Sequence, residues 1–235
     1  MIRWTYAFVD RPLERFAVAH DFWARVSEAT VSEPRGERGE FVTLLPEASG
    51  ADACVKVQGV LDGPGGAHLD LAVDDVSGTG ERARALGAAG VHTEPGLEVL
   101  CSPAGHLFCL VSWSGESAVP PPVGTGERVD QVCLDTPPQV YDRECTFWSA
   151  LTEWPEVPCS RPEFRLVSGV PVQLLLQRLD ANGPAGAHLD LACRDTAAAR
   201  ARHEKLGATH VSDGASWIVM RDPAGAVYCL TERTP

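Results

Sequence analysis

The sequence contains no uninterrupted apolar run of the roughly 20 residues that a membrane-spanning helix requires. Met1–Tyr6 shows no basic region followed by an apolar stretch, so no signal peptide is expected and the expected location is cytoplasmic. Positive charge is in deficit. Lys and Arg together number 20 against 32 Asp and Glu, a net charge of −12. Nucleic acid and anionic membrane both reward Lys and Arg, so neither is expected as a partner. The eight cysteines, at 54, 101, 109, 133, 145, 159, 193 and 229, include no Cys-x-x-Cys pair. Scattered thiols in such a chain read as reduced cysteines rather than a disulfide framework. Also missing are a glycine-rich loop of the phosphate-cradling type and a Ser-His-Asp set with an identifiable order.

What the sequence does contain is itself, twice. Gly66-Ala67-His68-Leu69-Asp70-Leu71-Ala72 returns as Gly186-Ala187-His188-Leu189-Asp190-Leu191-Ala192, a shift of 188 − 68 = 120 positions. The same shift carries Leu86-Gly87-Ala88 onto Leu206-Gly207-Ala208, Pro103-Ala104-Gly105 onto Pro223-Ala224-Gly225, and Cys109-Leu110 onto Cys229-Leu230. Matching blocks at one constant offset are an internal duplication, and its unit is the size of a small domain rather than of a solenoid repeat. With 44% apolar residues each copy can bury a core. The predicted domains are 1–113 and 128–235, joined by a linker at 114–127 that carries Pro120, Pro121 and Pro122.

Pattern and punctuation divide each half into two similar modules. Residues 2–9 read as a strand, and the stretch from Pro12 to about Glu28 reads as a helix with Leu13, Phe16, Trp23 and Val26 on one face. Phe41–Leu45 and Ala53–Val60 read as an antiparallel pair of strands. A second module opens with a strand at His68–Val73. Its helix is capped by Asp75 and stopped by Gly87, and short strands follow at Val91–Glu94, Leu97–Cys101 and Leu107–Trp113. The second half repeats the plan. A strand at Val129–Leu134, a helix from about Gln139 to Leu151 and strands at Glu163–Ser168 and Val172–Leu179 make one module. The strand at His188, a helix from Asp195 to Gly207 and strands at Trp217–Met220 and Val227–Thr231 make the other.

Four β-α-β-β-β-like modules, with His-Leu-Asp-Leu-Ala-x-x-Asp opening the even ones and Asp-Pro-Ala-Gly-x-x-x-Cys-Leu closing the last, resemble the vicinal oxygen chelate superfamily. The Phe-Trp pairs at 22–23 and 147–148 are similar to its glyoxalase-like and bleomycin-resistance-type branch. The resemblance implies an α+β tandem duplication in which four βαβββ modules pair into two cupped, half-open barrels, with a small-molecule ligand in the concavity. It also implies a monomer built as a fused pseudo-dimer, or a homodimer of such chains. Whether modules pair within a half or across halves stays open at this level.

Side chains alternate along a strand, so His68 and Asp70 share one face while Leu69, Leu71 and Val73 share the other. His188 and Asp190 repeat the arrangement. Either pair could order the sheet as partly buried polar residues or contact a ligand and exchange protons with it. Metal-dependent members of the superfamily place a His or similar residue on the first strand of a module and a Glu on the last. By that resemblance His68 and His188 match. The odd modules offer Arg3 and Arg128, the last strands carry Cys109 and Cys229, and Gln58 and Gln177 stand nearest in the odd modules. An Arg cannot ligate and would repel a cation. No metal is therefore expected, with a divalent ion (Zn, Fe, Ni or Mn) as the alternative. An iron triad of His68, Asp70 and His106 has no second-half equivalent, because Ala226 stands at the His106 position. Cys109 and Cys229, flanked by apolar residues, read as core, as do Trp23 and Trp148.

The expected ligand-binding set is therefore Arg3, His68, Asp70, Trp113, Arg128, Asp130, His188, Asp190 and Trp217, with the tryptophans as stacking walls. The leading expectation is metal-independent binding of a small aromatic or amphipathic molecule, as in drug or toxin sequestration. The alternative is a metal-dependent or acid–base lyase, isomerase or dioxygenase of the same superfamily.

Overall fold

The computed structural model describes residues 1–235. Its elements fall into four consecutive modules with one plan. The first runs β1 (Ile2–Pro12), α1 (Phe16–Val26), β2 (Ala29–Val31), β3 (Phe41–Pro46) and β4 (Val55–Val60). The second runs β5 (Gly66–Val73), α2 (Val76–Ala85), β6 (Ala89–Glu94), β7 (Leu97–Cys101) and β8 (Leu107–Ser112). The third is β9 (Glu127–Thr136), α3 (Tyr141–Thr152), β10 (Glu156–Val157), β11 (Phe164–Val167) and β12 (Gln173–Arg178). The fourth is β13 (Gly186–Cys193), α4 (Thr196–Lys205), β14 (Thr209–Asp213), β15 (Trp217–Arg221) and β16 (Val227–Glu232). This is the α+β, four-module βαβββ fold that the duplication implies.

Modules pair within each half of the sequence. One eight-stranded sheet has the order β2-β3-β4-β1-β5-β8-β7-β6, and the other β10-β11-β12-β9-β13-β16-β15-β14. The first strand of a module lies parallel to its last: Ala7 faces Val55 in β1·β4, Asp70 faces Cys109 in β5·β8, and Asp190 faces Cys229 in β13·β16. Such strands sit centrally and read as apolar runs. Trp4 through Val9 are all buried in β1. The strands missed by sequence reading are β2, β10 and β14. The last two are exposed and polar, so they carry no apolar alternation to detect.

The helices start and stop where their side chains require. Asp75 Oδ1 accepts the Gly78 N–H at 3.0 Å to cap α2, and Asp195 Oδ1 accepts the Ala198 N–H at 2.9 Å to cap α4. Both end at a glycine in the left-handed region, Gly87 at φ 108° and Gly207 at φ 105°. The linker is tied down: Asp52 N–H donates to Ala118 O and Ala118 N–H to Asp52 Oδ2, each at 2.8 Å.

The chain packs as two units, and neither coincides with a half of the sequence. The first comprises Met1–Tyr6, His68–Ser117 and Val132–Ala187. In its core Phe108 of β8 meets Phe147 and Trp148 of α3 edge-on, with ring centroids 5.9 and 5.0 Å apart. The second comprises Ala7–Ala67, Ala118–Gln131 and His188–Pro235. There Trp23 of α1 packs edge-on against Tyr228 of β16 at 5.1 Å.

Candidate functional site

β5 supplies the core of the site. Leu69, Leu71 and Val73 point into the apolar interior, with exposures of 2%, 0% and 1%. The alternate face therefore carries His68 and Asp70. His68 Nε2 lies 3.5 Å from Asp70 Oδ1. The parallel register sets Cys109 opposite Asp70. The result is a compact triad: one donor atom each from His68, Asp70 and Cys109 lies within 4.8 Å of the other two. Burial pushes the Cys109 thiol above its ordinary range, against the opposing pull of a hydrogen bond with His68. Cys109, read from sequence as core packing, is thus a member of the cluster. Its signal was the repeated Cys-Leu block, but only the β5·β8 register shows which side chain it meets.

The duplicated strand repeats the pair. His188 Nε2 lies 3.4 Å from Asp190 Oδ1, and Cys229 faces Asp190 across β13·β16.

Other residues of the expected set have partners of their own. Arg3 donates from Nε to both carboxylate oxygens of Asp74 at 2.9 and 3.0 Å, and its guanidinium lies 5.5 Å from the Trp113 ring centroid. The Arg3 hydrogen bond holds Asp74 below the usual carboxylate range. Trp113 is exposed and donates its indole N–H to Glu116 O at 3.0 Å. Asp130 is buried and accepts from Arg233 Nη1 and Nη2, both at 2.7 Å, and from Ala192 N–H at 3.2 Å. Burial raises the Asp130 carboxyl, in spite of Arg233. Arg128 is half-buried and donates weakly to Pro120 O at 3.4 Å. Trp217 is half-buried on β15, opposite Thr231. His106 is buried, with Nε2 3.3 Å from Thr136 Oγ1, and the third member beside His68 and Asp70 is Cys109.

Two buried polar clusters escaped sequence reading. Glu144 accepts from Ser102 Oγ at 2.6 Å, Trp148 Nε1 at 2.7 Å and Ala104 N–H at 2.8 Å. Glu127 joins Arg202, His203 Nε2 at 3.2 Å and Thr125 Oγ1 at 2.8 Å, while His203 Nδ1 reaches Tyr228 OH at 2.7 Å. Burial alone would raise Glu127, but the hydrogen bonds from His203 and Thr125 outweigh it and hold the carboxyl low.

Four βαβββ modules paired into two eight-stranded sheets make this a protein of the vicinal oxygen chelate fold. More narrowly, residues 7–111 and 131–231 each match the glyoxalase-like domain, and the chain belongs to that family. Among solved structures it is similar to a halotolerant catechol dioxygenase, BphC (TM-score 0.67, 17% identity, 99% of this chain and 87% of that one). It is similar to the 2,3-dioxygenase LapB from Pseudomonas sp. KL28 (TM-score 0.69, 11% identity, 100% and 93%). The Mn(II)-bound glyoxalase from Novosphingobium aromaticivorans also matches (TM-score 0.66, 18% identity, 100% and 82%). At these identities the likeness is one of fold. No curated protein matches the sequence. No helix is long and apolar enough to cross a membrane.

Metal binding has to be judged on the donors present. Imidazole, carboxylate and thiolate are all ligands of zinc-type ions, and three of them leave a position open. His68, Asp70 and Cys109 fit such an ion in number and spacing, provided the thiol gives up its proton on binding. Arg3, the expected obstacle, is paired with Asp74 instead.

Proposed function

We infer that the chain binds a small aromatic or amphipathic molecule over the His68–Asp70–Cys109 cluster, with sequestration as the role. The observation that supports this reading is a His–Asp pair at 3.5 Å on the polar face of a central strand, repeated at 3.4 Å in the second half. Such a pair can donate to and accept from a ligand hydroxyl or carbonyl while the imidazole is held by its own carboxylate. The half-buried thiol of Cys109, its pKa pushed up by desolvation, adds a weak donor and an apolar surface.

One observation favours a second reading, an enzyme of the dioxygenase or glyoxalase type: the three donor atoms within 4.8 Å. A divalent ion held by His68, Asp70 and Cys109 would supply Lewis-acid polarisation of a substrate oxygen. His68 and Asp70 would then hold the ion rather than the ligand.

Metal analysis of the purified protein, before and after incubation with zinc, iron, nickel and manganese, separates the two. The binding reading expects no stoichiometric metal under any condition. It also expects saturable tryptophan quenching by a member of an aromatic and amphipathic compound library, weakened tenfold or more in His68→Ala. Stoichiometric metal that is lost in His68→Ala and Cys109→Ala overturns the binding reading and establishes the metal site.

A further inference from the structure

A recess of about 50 Å³ in the second packing unit is lined by none of His68, Asp70 and Cys109. Its walls are Leu44, Val55, Val129 and Leu191, with Pro120 and Pro121 of the linker. The charged lining residues are one cation, Arg128, and the acids Glu28, Glu47 and Glu127. The Arg128 Nε is buried and has no hydrogen-bond partner, and Nη1 has only the long contact to Pro120 O. A buried guanidinium N–H without an acceptor is costly, because desolvation is suffered without compensation.

The buried acids nearby are already committed. Glu127 is held by Arg202, His203 and Thr125. Glu28, itself exposed, accepts the Gly124 N–H at 3.1 Å and lies 3.5 Å from Arg202. Asp130 is held by Arg233. Glu47, the remaining acidic lining residue, is exposed. The buried acids near Arg128 thus hydrogen-bond to other groups, and none of them accepts from the Arg128 guanidinium.

We propose that this recess is a binding site for a short-chain monocarboxylate, distinct from the His68 site, with the carboxylate on the Arg128 guanidinium and the alkyl tail among Leu44, Val55 and Leu191. The guanidinium fork matches a carboxylate in geometry and charge, and the apolar walls match a hydrocarbon tail. Size restricts the class. The recess is small, which favours a short hydrocarbon tail over a long one. A bridging water fits poorly, since it wants two to four polar partners and these walls are largely apolar.

Propionate is the probe. Titration of the full chain with sodium propionate, read on the Arg Nε–H resonances by NMR and by calorimetry, should show one saturable site. Propanol and propylamine, each lacking half of the match, should show none. Arg128→Gln should weaken propionate at least about tenfold, the scale of a lost charge-assisted hydrogen bond. Arg128→Lys, which keeps the charge without the fork, should fall between the two. Circular dichroism confirms that each variant is folded. His68→Ala should bind propionate as the wild type does, so the outcome is independent of the aromatic-ligand reading. No saturable shift in the wild type, an equal response from chloride at matched ionic strength, or undiminished binding by both Arg128 variants would overturn the proposal.

Discussion

At the scale of single residues, the halves share several repeated blocks of sequence and solve one problem in two ways. Each α-helix after the first strand of an odd module carries a buried tryptophan whose indole N–H needs an acceptor. In the first unit the acceptor is Glu144 on the helix itself, oriented by Ser102 on the β7–β8 turn. In the second it is Asp222, which stands at the Ser102 position under the 120-residue shift (222 − 102 = 120) and accepts Trp23 Nε1 at 3.1 Å. Arg11 then neutralises Asp222 from 2.7 Å. The carboxylate has moved from helix to turn while the hydrogen bond to the indole is kept. The paired tryptophans are legible in the sequence as core, and both rings are buried. Their acceptors are not legible, because Glu144 and Asp222 occupy unrelated positions in the repeat. His106 makes a pH prediction at the same scale. Burial lowers its pKa from 6.5 to about 4, against a smaller upward pull from Asp135. The unfolded chain therefore takes up this proton at higher pH than the folded one. Stability from this group is intact above pH 6.5 and falls as pH drops towards 4, by about 3 kcal/mol at most. Thermal melts of the wild type and His106→Asn between pH 4 and 7 check this: the variant should lose that part of the slope, and identical slopes would refute it.

At the scale of elements, legibility follows burial and punctuation. The capped helices α2 and α4 could be read nearly to the residue, since an Asp at the start and a left-handed glycine at the end are local signals. The strands with a buried face were found as well, from β1 through β16, because apolar alternation survives in sequence. β10 and β14 were not, being short, largely exposed and without apolar alternation, while the equally exposed β6 was placed from Val91–Glu94. The site was legible in part for the same reason. His68 and Asp70 belong to one strand, so their shared face follows from period two. Their meeting with Cys109 depends on the register of β8, which nothing local to the chain fixes. The caps also offer a measurement. Asp75→Ala and Asp195→Ala each remove the one side-chain acceptor at their helix start, at a cost of about 1 kcal/mol. Urea denaturation should show that loss for each, while Asp75→Ser, which can still cap, should recover most of it.

At the scale of the whole molecule, duplication in sequence and division in space do not coincide. Modules pair in sheets within a half, yet each packing unit draws on both halves. Repeat analysis finds the copies and cannot see which copy's helix covers which sheet, since that information lies in contacts between residues more than a hundred positions apart. Trp23 packs on Tyr228, and Phe108 on Trp148. A chain cut in the linker therefore leaves its first half, residues 1–117, with two unfinished cores. Trp23 would lose Tyr228 and Asp222, and Phe108 would lose Phe147 and Trp148. Aromatic side chains of this size contribute several kcal/mol each when buried, against a total domain stability of roughly 5–15 kcal/mol. The isolated half is expected to be unfolded, or to associate with a second copy whose strands stand in for the absent ones. Sedimentation and near-ultraviolet circular dichroism distinguish the cases, and co-expression with residues 118–235 should restore a one-to-one complex with the native aromatic signal. A monomeric 1–117 fragment that melts cooperatively with a native-like near-ultraviolet spectrum would show instead that the half is the folding unit and that the cross-half aromatic contacts are dispensable.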